Sequence, residues 1–308
     1  MVGVIFGVLS CTLTFFFFAR SNPRESPELV QVQSAAEQGD AVAQLRLGEL
    51  YRRGSRSVPQ NYPGAATWMR KAADQGNAKA QAILGILYEQ GLGVLQDYSE
   101  AAKWYAKAGD SGESLAQFRL GTLYESGQGI PQDYEQAARW YQKAAEQEGA
   151  AAEPEDPGSQ GNSVVNAQLF LGSLYAQVHQ NYEEAAKWYR KAADHGDHDA
   201  EVLLGKMYAT GQGLPRDYTE AVNWFRKAAM QGDPEAQLSL AAMYAGGQGV
   251  ARDFVQAYAW ANMAAVASAD DTQKRANALR EKVAPRLNPA QMEQARNLVE
   301  QWKAQKIQ

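Results

Sequence analysis

Residues 80–105 decide the fold. They read Ala80-Gln81-Ala82-Ile83-Leu84-Gly85-Ile86-Leu87-Tyr88, then the turn Gly91-Leu92-Gly93-Val94, then Asp97-Tyr98-Ser99-Glu100-Ala101-Ala102-Lys103-Trp104-Tyr105. Ala80, Leu84 and Leu87 stand at i, i+4 and i+7, which is one face of a helix. Asp97 with Glu100 three residues later predicts an N-cap and a capping box for a second helix. Gly-x-Gly between two helices predicts a left-handed C-terminal cap and a tight turn. In a nucleotide-binding loop the same spacing would follow a strand and carry a third glycine, so we read it as structural.

The unit recurs. Its first half returns as Ala43–Tyr51, Ala116–Tyr124, Ala167–Tyr175, Ala200–Tyr208 and Ala236–Tyr244, and its tryptophan falls at positions 68, 104, 140, 188, 224 and 260. A fixed period near 36 residues marks a solenoid of stacked supersecondary units. The aromatic ladder is therefore expected in the core between units. Glycine or alanine sits inside the first helix at 48, 85, 121, 172, 205 and 241. Mid-helix glycine costs roughly 1 kcal/mol relative to alanine, and close approach of a neighbouring helix backbone is the expected reason. Carboxylates at the caps recur in most units, which argues for capping and against a single catalytic acid.

The regular spacing breaks once, with an insertion of about 15 residues near 147–163 carrying Pro154, Pro157 and several acids. A deletion follows that removes the Gly-x-Gly turn and leaves Ala176-Gln177-Val178-His179-Gln180. The insertion reads as a tolerated loop more than as a hinge. The expected organisation is an apolar membrane segment at 1–19, a linker and N-capping helix at 20–38, six repeats at 39–268, and C-terminal capping helices at 269–308. Met1 to Ala19 carry no charged side chain. As a helix this stretch would span roughly 28 Å, close to a bilayer's apolar core. It is expected to be a single-pass anchor or a cleaved export signal. Arg20 and Arg24 favour a cytoplasmic repeat domain by the positive-inside rule, and export would place it in the periplasm.

Composition narrows the function. A net charge of −5 over 308 residues, with the cations spread through the repeats, gives no footprint for nucleic acid. Cys11 is the only cysteine, so no intramolecular disulfide forms. His195-Gly196-Asp197-His198 with Asp199 has the residue types of a metal site but sits in an inter-unit loop, where solvated residues are the simpler reading. No Ser-His-Asp set, HExxH or paired cysteines support hydrolysis. We expect no catalytic residue, no cofactor and no metal.

The combination A-x-x-x-L-G-x-L/M-Y, G-x-G-V, D-Y-x-x-A-x-x-W-Y/F-x-K-A-A and G-D/N resembles the Sel1-like repeat, a relative of the tetratricopeptide repeat. That resemblance implies an all-α, right-handed α/α superhelix of six hairpins and a role as an adaptor or scaffold without catalysis. Two columns on the first helices vary while their neighbours are copied. One runs Arg46, Ile83, Arg119, Phe170, Leu203 and Ser239, and the other Glu49, Ile86, Thr122, Ser173, Lys206 and Ala242. First helices line the concave face in tetratricopeptide-like arrays. The expected partner-binding set is thus Arg46, Glu49, Ile83, Ile86, Arg119, Phe170, Leu203 and Lys206, with the apolar members as anchors for a protein or peptide. A secreted interaction protein with a cleaved N-terminus is one alternative. An enzyme acting on envelope polymers is another, and no acid cluster supports it.

Overall fold

The computed structural model describes residues 27–55, 58–147, 162–269 and 271–305. The expected membrane segment at 1–19 and most of the acidic insertion lie outside the described residues. Among those described, no helix is long and apolar enough to cross a membrane. The described residues form helices and no strand.

Helix α1 (Pro27–Glu37) has no hairpin partner of its own and packs on the helix that follows it. Six antiparallel hairpins follow, each with an A and a B helix. They are α2 (Ala41–Arg53) with α3 (Tyr62–Asp74), α4 (Ala78–Gln90) with α5 (Tyr98–Asp110), and α6 (Ser114–Ser126) with α7 (Tyr134–Ala145). Then come α8 (Ser163–Gln177) with α9 (Tyr182–Asp194), α10 (His198–Thr210) with α11 (Tyr218–Gln231), and α12 (Pro234–Gly246) with α13 (Phe254–Ala267). Helices α14 (Asp271–Val283) and α15 (Pro289–Gln305) close the array. Every A helix packs on its own B helix and on the helix before it, which is α1 for the first hairpin and the preceding B helix for the rest.

The mid-helix glycines make room for a side chain, not for a backbone as the sequence suggested. A Cβ on Gly121 would lie 2.6 Å from the ring of Tyr141, and one on Gly205 would lie 2.6 Å from the ring of Phe225. Gly85 and Gly172 meet Tyr105 and Tyr189 in the same way, and Gly48 meets Met69. In the sixth hairpin the volumes are exchanged. Ala241 replaces glycine, the aromatic becomes Ala261, and the two lie in one buried cluster. Close packing of the core accounts for this reciprocity.

The capping boxes form by half. Asp97 accepts hydrogen bonds from the Ser99 and Glu100 N–H groups. Its own N–H is given to the Tyr88 carbonyl across the turn, 2.9 Å away, and Glu100 instead pairs with Lys103. The Asp133, Asp217 and Asp253 N–H groups bond to the Tyr124, Tyr208 and Tyr244 carbonyls in the same way. The cap residue therefore closes the hairpin as well as starting the helix. A reciprocated box does occur at α15, between Asn288 and Gln291.

The first glycine of each Gly-x-Gly turn is the left-handed cap, as at Gly127 with φ 72°. The second, as at Gly129 with φ 73°, lies against Tyr98 and Ser99 at the start of the preceding B helix. The fourth hairpin lacks this turn. Gln180 takes φ 51° there, the one non-glycine residue at positive φ among those described. With no glycine turn to cover it, Tyr134 is 38% exposed.

Trp104, Trp188, Trp224 and Trp260 are buried between units, as expected, whereas Trp68 and Trp140 are half-buried. Lys71, Lys107, Lys143, Lys191 and Lys227 each lie over the tryptophan three residues before them. These are cation–π contacts within a B helix.

Candidate functional site

The A-helix face is built by the joints between hairpins. At each joint a buried glutamine at the start of an A helix donates to a carbonyl at the end of the preceding B helix. Gln44 bonds to Ala36, Gln81 to Ala73, Gln117 to Gly109, and Gln237 to Ala229, at 2.8 to 3.2 Å. Gln273 bonds likewise to Ala265, which makes α14 the A helix of a further half-unit. Gln168 reaches the Ala145 carbonyl at 3.2 Å across the insertion. Sequence reading passed over these glutamines, although the repeated Ala-Gln pair signalled them.

The fifth unit is the exception. Glu201 occupies the glutamine position, is 3% exposed, and accepts a hydrogen bond from Gln231 at 2.9 Å. A carboxylate has no hydrogen to give the Ala193 carbonyl that the register assigns to it. Burial raises the Glu201 carboxyl above the usual range, partly offset by Gln231 and Lys227.

Next to this joint, His198, Asp199 and Asp233 bring one possible ligand atom each within 4.8 Å of one another. Asp233 is already committed to capping α12, accepting from the Ala236 N–H at 2.6 Å. His198 and Asp199 are exposed in the first turn of α10. The positive ends of two helix dipoles meet there, which disfavours a cation.

The eight expected partner-binding residues divide. Ile83 is 7% exposed and packs with Leu84, Leu87 and Trp104, so it belongs to the core and drops out of the surface. Ile86 and Leu203 are half-buried against the cores of their hairpins. Phe170 is 38% exposed. Its ring meets Phe118 edge-on at 5.4 Å and Tyr141 at 5.8 Å, so three aromatics from two units form one cluster. The charged members are engaged across neighbouring A helices. Glu49 pairs with Lys79 at 3.3 Å, Arg119 with Glu89 at 3.4 Å, and Lys206 with Glu235 at 3.6 Å. Arg46 is exposed.

Below this surface the tyrosine hydroxyls are anchored. Tyr105 donates to Glu89 and Tyr141 to Glu125, each at 2.5 Å, and Tyr189 to Ser173 at 3.2 Å. Burial, followed by the adjacent Glu89 carboxylate, holds the Tyr105 hydroxyl well above its ordinary pKa. Burial and Glu125 do the same to Tyr141. These phenols stay protonated and act as structural donors. The arrangement offers an apolar aromatic spot rimmed by exchangeable ion pairs, which suits recognition of another chain.

Known proteins share the repeat architecture. The family model for the Sel1 repeat matches residues 41–77, 78–113, 114–148, 165–197, 198–233 and 234–265. A solved Sel1 repeat protein from Oxalobacter formigenes is 34% identical, with a TM-score of 0.63, over 76% of this chain and 88% of that one. A protective antigen of uropathogenic Escherichia coli strains, displaying an SLR fold, is 32% identical with a TM-score of 0.52. That match covers 89% of this chain, which spans 63% of the antigen's length. No curated protein matches the chain. Proteins of this repeat family are generally protein-interaction scaffolds and typically non-catalytic. Six matched repeats, a helical solenoid and these solved relatives establish that the chain belongs to the Sel1 repeat family.

Proposed function

We propose that this chain is a membrane-anchored, non-catalytic scaffold that holds a partner protein or peptide on the A-helix face of a right-handed superhelix. The observation that carries the proposal is the exposed Phe170 ring beside Phe118 and Tyr141. An aromatic anchor inside a polar rim is the usual composition of a binding hot spot. Arg119 and Lys206 supply that rim, and their present partners Glu89 and Glu235 belong to the same chain, so a guest's carboxylates can exchange with them. Neighbouring A helices α4, α6 and α8 approach each other more closely than the B helices α5, α7 and α9 do. Curvature toward the A side favours that side as the trough. Ile86 on α4 and Leu203 on α10 continue the apolar surface along the A helices, and Arg46 and Glu49 extend it toward the first unit.

The test is Phe170→Asp. Crosslinking affinity purification should lose the partner, while the melting temperature stays within about 2 °C of the parent because the ring is only partly buried. Unchanged recovery would reject the site. The anchor rests on the uncharged stretch from Met1 to Ala19. Mass spectrometry of the mature N-terminus separates it from the exported alternative: an intact Met1 in the membrane fraction supports the anchor, and cleavage beyond Ala19 rejects it.

A further inference from the structure

The B-helix face changes character at its C-terminal end. Six residues after the tryptophan, the first four units carry Asp74, Asp110, Glu146 and Asp194, whereas the last two carry Met230 and Val266. Three residues after the tryptophan, five units carry lysine and the sixth carries Met263. In the middle of the array these rows meet as an ion pair, with Lys143 against Asp110 at 3.6 Å. Between units five and six the same register brings Met263 and Met230 together as walls of a cavity of about 280 Å³. Met230 is 57% exposed.

The capping helix α15 closes one end of this cavity. Trp302 stacks on Trp260 with ring centroids 4.0 Å apart and planes 18° apart. Arg226 also lines the cavity and is held by a hydrogen bond to the Tyr244 hydroxyl at 3.1 Å. No carboxylate lines the cavity among the described residues. Lys227 stands in the adjoining groove, beside Trp224 and near Glu220. With the acids of this row gone, an apolar hole is left beside two cations.

We infer that this cavity is a second docking site, separate from the A-helix face, for an acidic peptide segment with one large apolar side chain. The apolar side chain enters between Met230, Met263 and the Trp260–Trp302 pair. A neighbouring carboxylate pairs with Arg226 or Lys227. The volume admits one leucine, methionine or phenylalanine side chain and not a whole helix, so the occupant is an extended segment or a chain end. Charge complementarity selects the acidic partner.

A phage library of random twelve-residue peptides, panned on the full chain, tests this. Enriched peptides should combine Asp or Glu with Leu, Met or Phe. Their synthetic versions should bind Met230→Asp about tenfold more weakly. That change restores the acid carried by the first four units, so the melting temperature should hold. Lys227→Glu should also weaken binding, and Phe170→Asp should bind like the parent. The inference is overturned by no enrichment, by basic or purely polar winners, or by binding that survives Met230→Asp. Loss of binding in Phe170→Asp would also overturn it, because the peptides would then occupy the A-helix face.

Discussion

The joint between the third and fourth hairpins and the joint between the fourth and fifth differ in opposite ways. At the first the chain is interrupted by an insertion, yet Gln168 still reaches the Ala145 carbonyl. The bond spans 23 residues in sequence where the regular joints span 8. Ser114 and Ser163 also meet there at 3.0 Å. At the second joint the chain runs without interruption, but one side-chain exchange, Gln to Glu201, removes the donor. The joint is therefore fixed by the side chains that meet across it and is indifferent to the path of the chain between them. This supports reading the insertion as tolerated, since a hinge would be expected to loosen the joint it interrupts.

The strongest way to break the comparison is to empty the interrupted joint. Trp188 is buried there with Phe118, Tyr141 and Leu171. Trp188→Ala should cost about 3–5 kcal/mol by denaturant unfolding. A cost below about 1 kcal/mol would show that the two hairpins are not packed together. Gln168→Met should cost about 1–3 kcal/mol, because the Ala145 carbonyl would lose its buried donor. A neutral result would remove the glutamine row from the account of the joints.

The uninterrupted joint can be repaired. Glu201→Gln should restore the missing donor and raise the melting temperature at pH 7. The sign follows from burial. The folded carboxyl has a raised pKa, so the folded state holds its proton more tightly than the unfolded state does. The stability this contributes is complete below the ordinary glutamate range of about 4.3 and is lost as pH rises through the raised value. The advantage of Glu201→Gln should therefore be present at neutral pH and shrink on acidification. A constant difference between pH 4 and 8 would contradict it. The other charged or titratable groups facing Glu201 are Lys227 on α11 and Asp197 and His198 at the start of α10, and each belongs in the controls.

The smallest expected effect concerns the insertion itself. Replacing residues 148–161 by four Gly/Ser residues should change unfolding free energy by less than about 1 kcal/mol, since closure entropy varies slowly with length. A larger loss would mean that the acidic segment contributes contacts of its own.

The hairpins, their register, the Asp or Asn caps of the B helices and the burial of most tryptophans were legible because each is a local pattern that recurs along the chain. What could not be read depends on partners from other units. The mid-helix glycines signalled crowding, but only the folded hairpin shows that a tyrosine ring fills the space. The Asp97 N–H was assigned to Glu100 by local sequence, whereas the Tyr88 carbonyl across the turn takes it. Ile83 and Phe170 share one column, and variability alone placed both on the surface. Leu45 of the preceding unit packs against the cluster that buries Ile83, while the shifted fourth hairpin leaves Phe170 half in the open. Column position gives the helix face, and the neighbouring unit decides the burial.

The central claim is that the A-helix face around Phe170 holds the partner. In-cell photocrosslinking tests it with benzoylphenylalanine placed at Phe170 or at Arg139, an exposed position on the B helix α7. The account predicts a discrete partner adduct from position 170 and none from position 139. An adduct from 139 with none from 170 would contradict it.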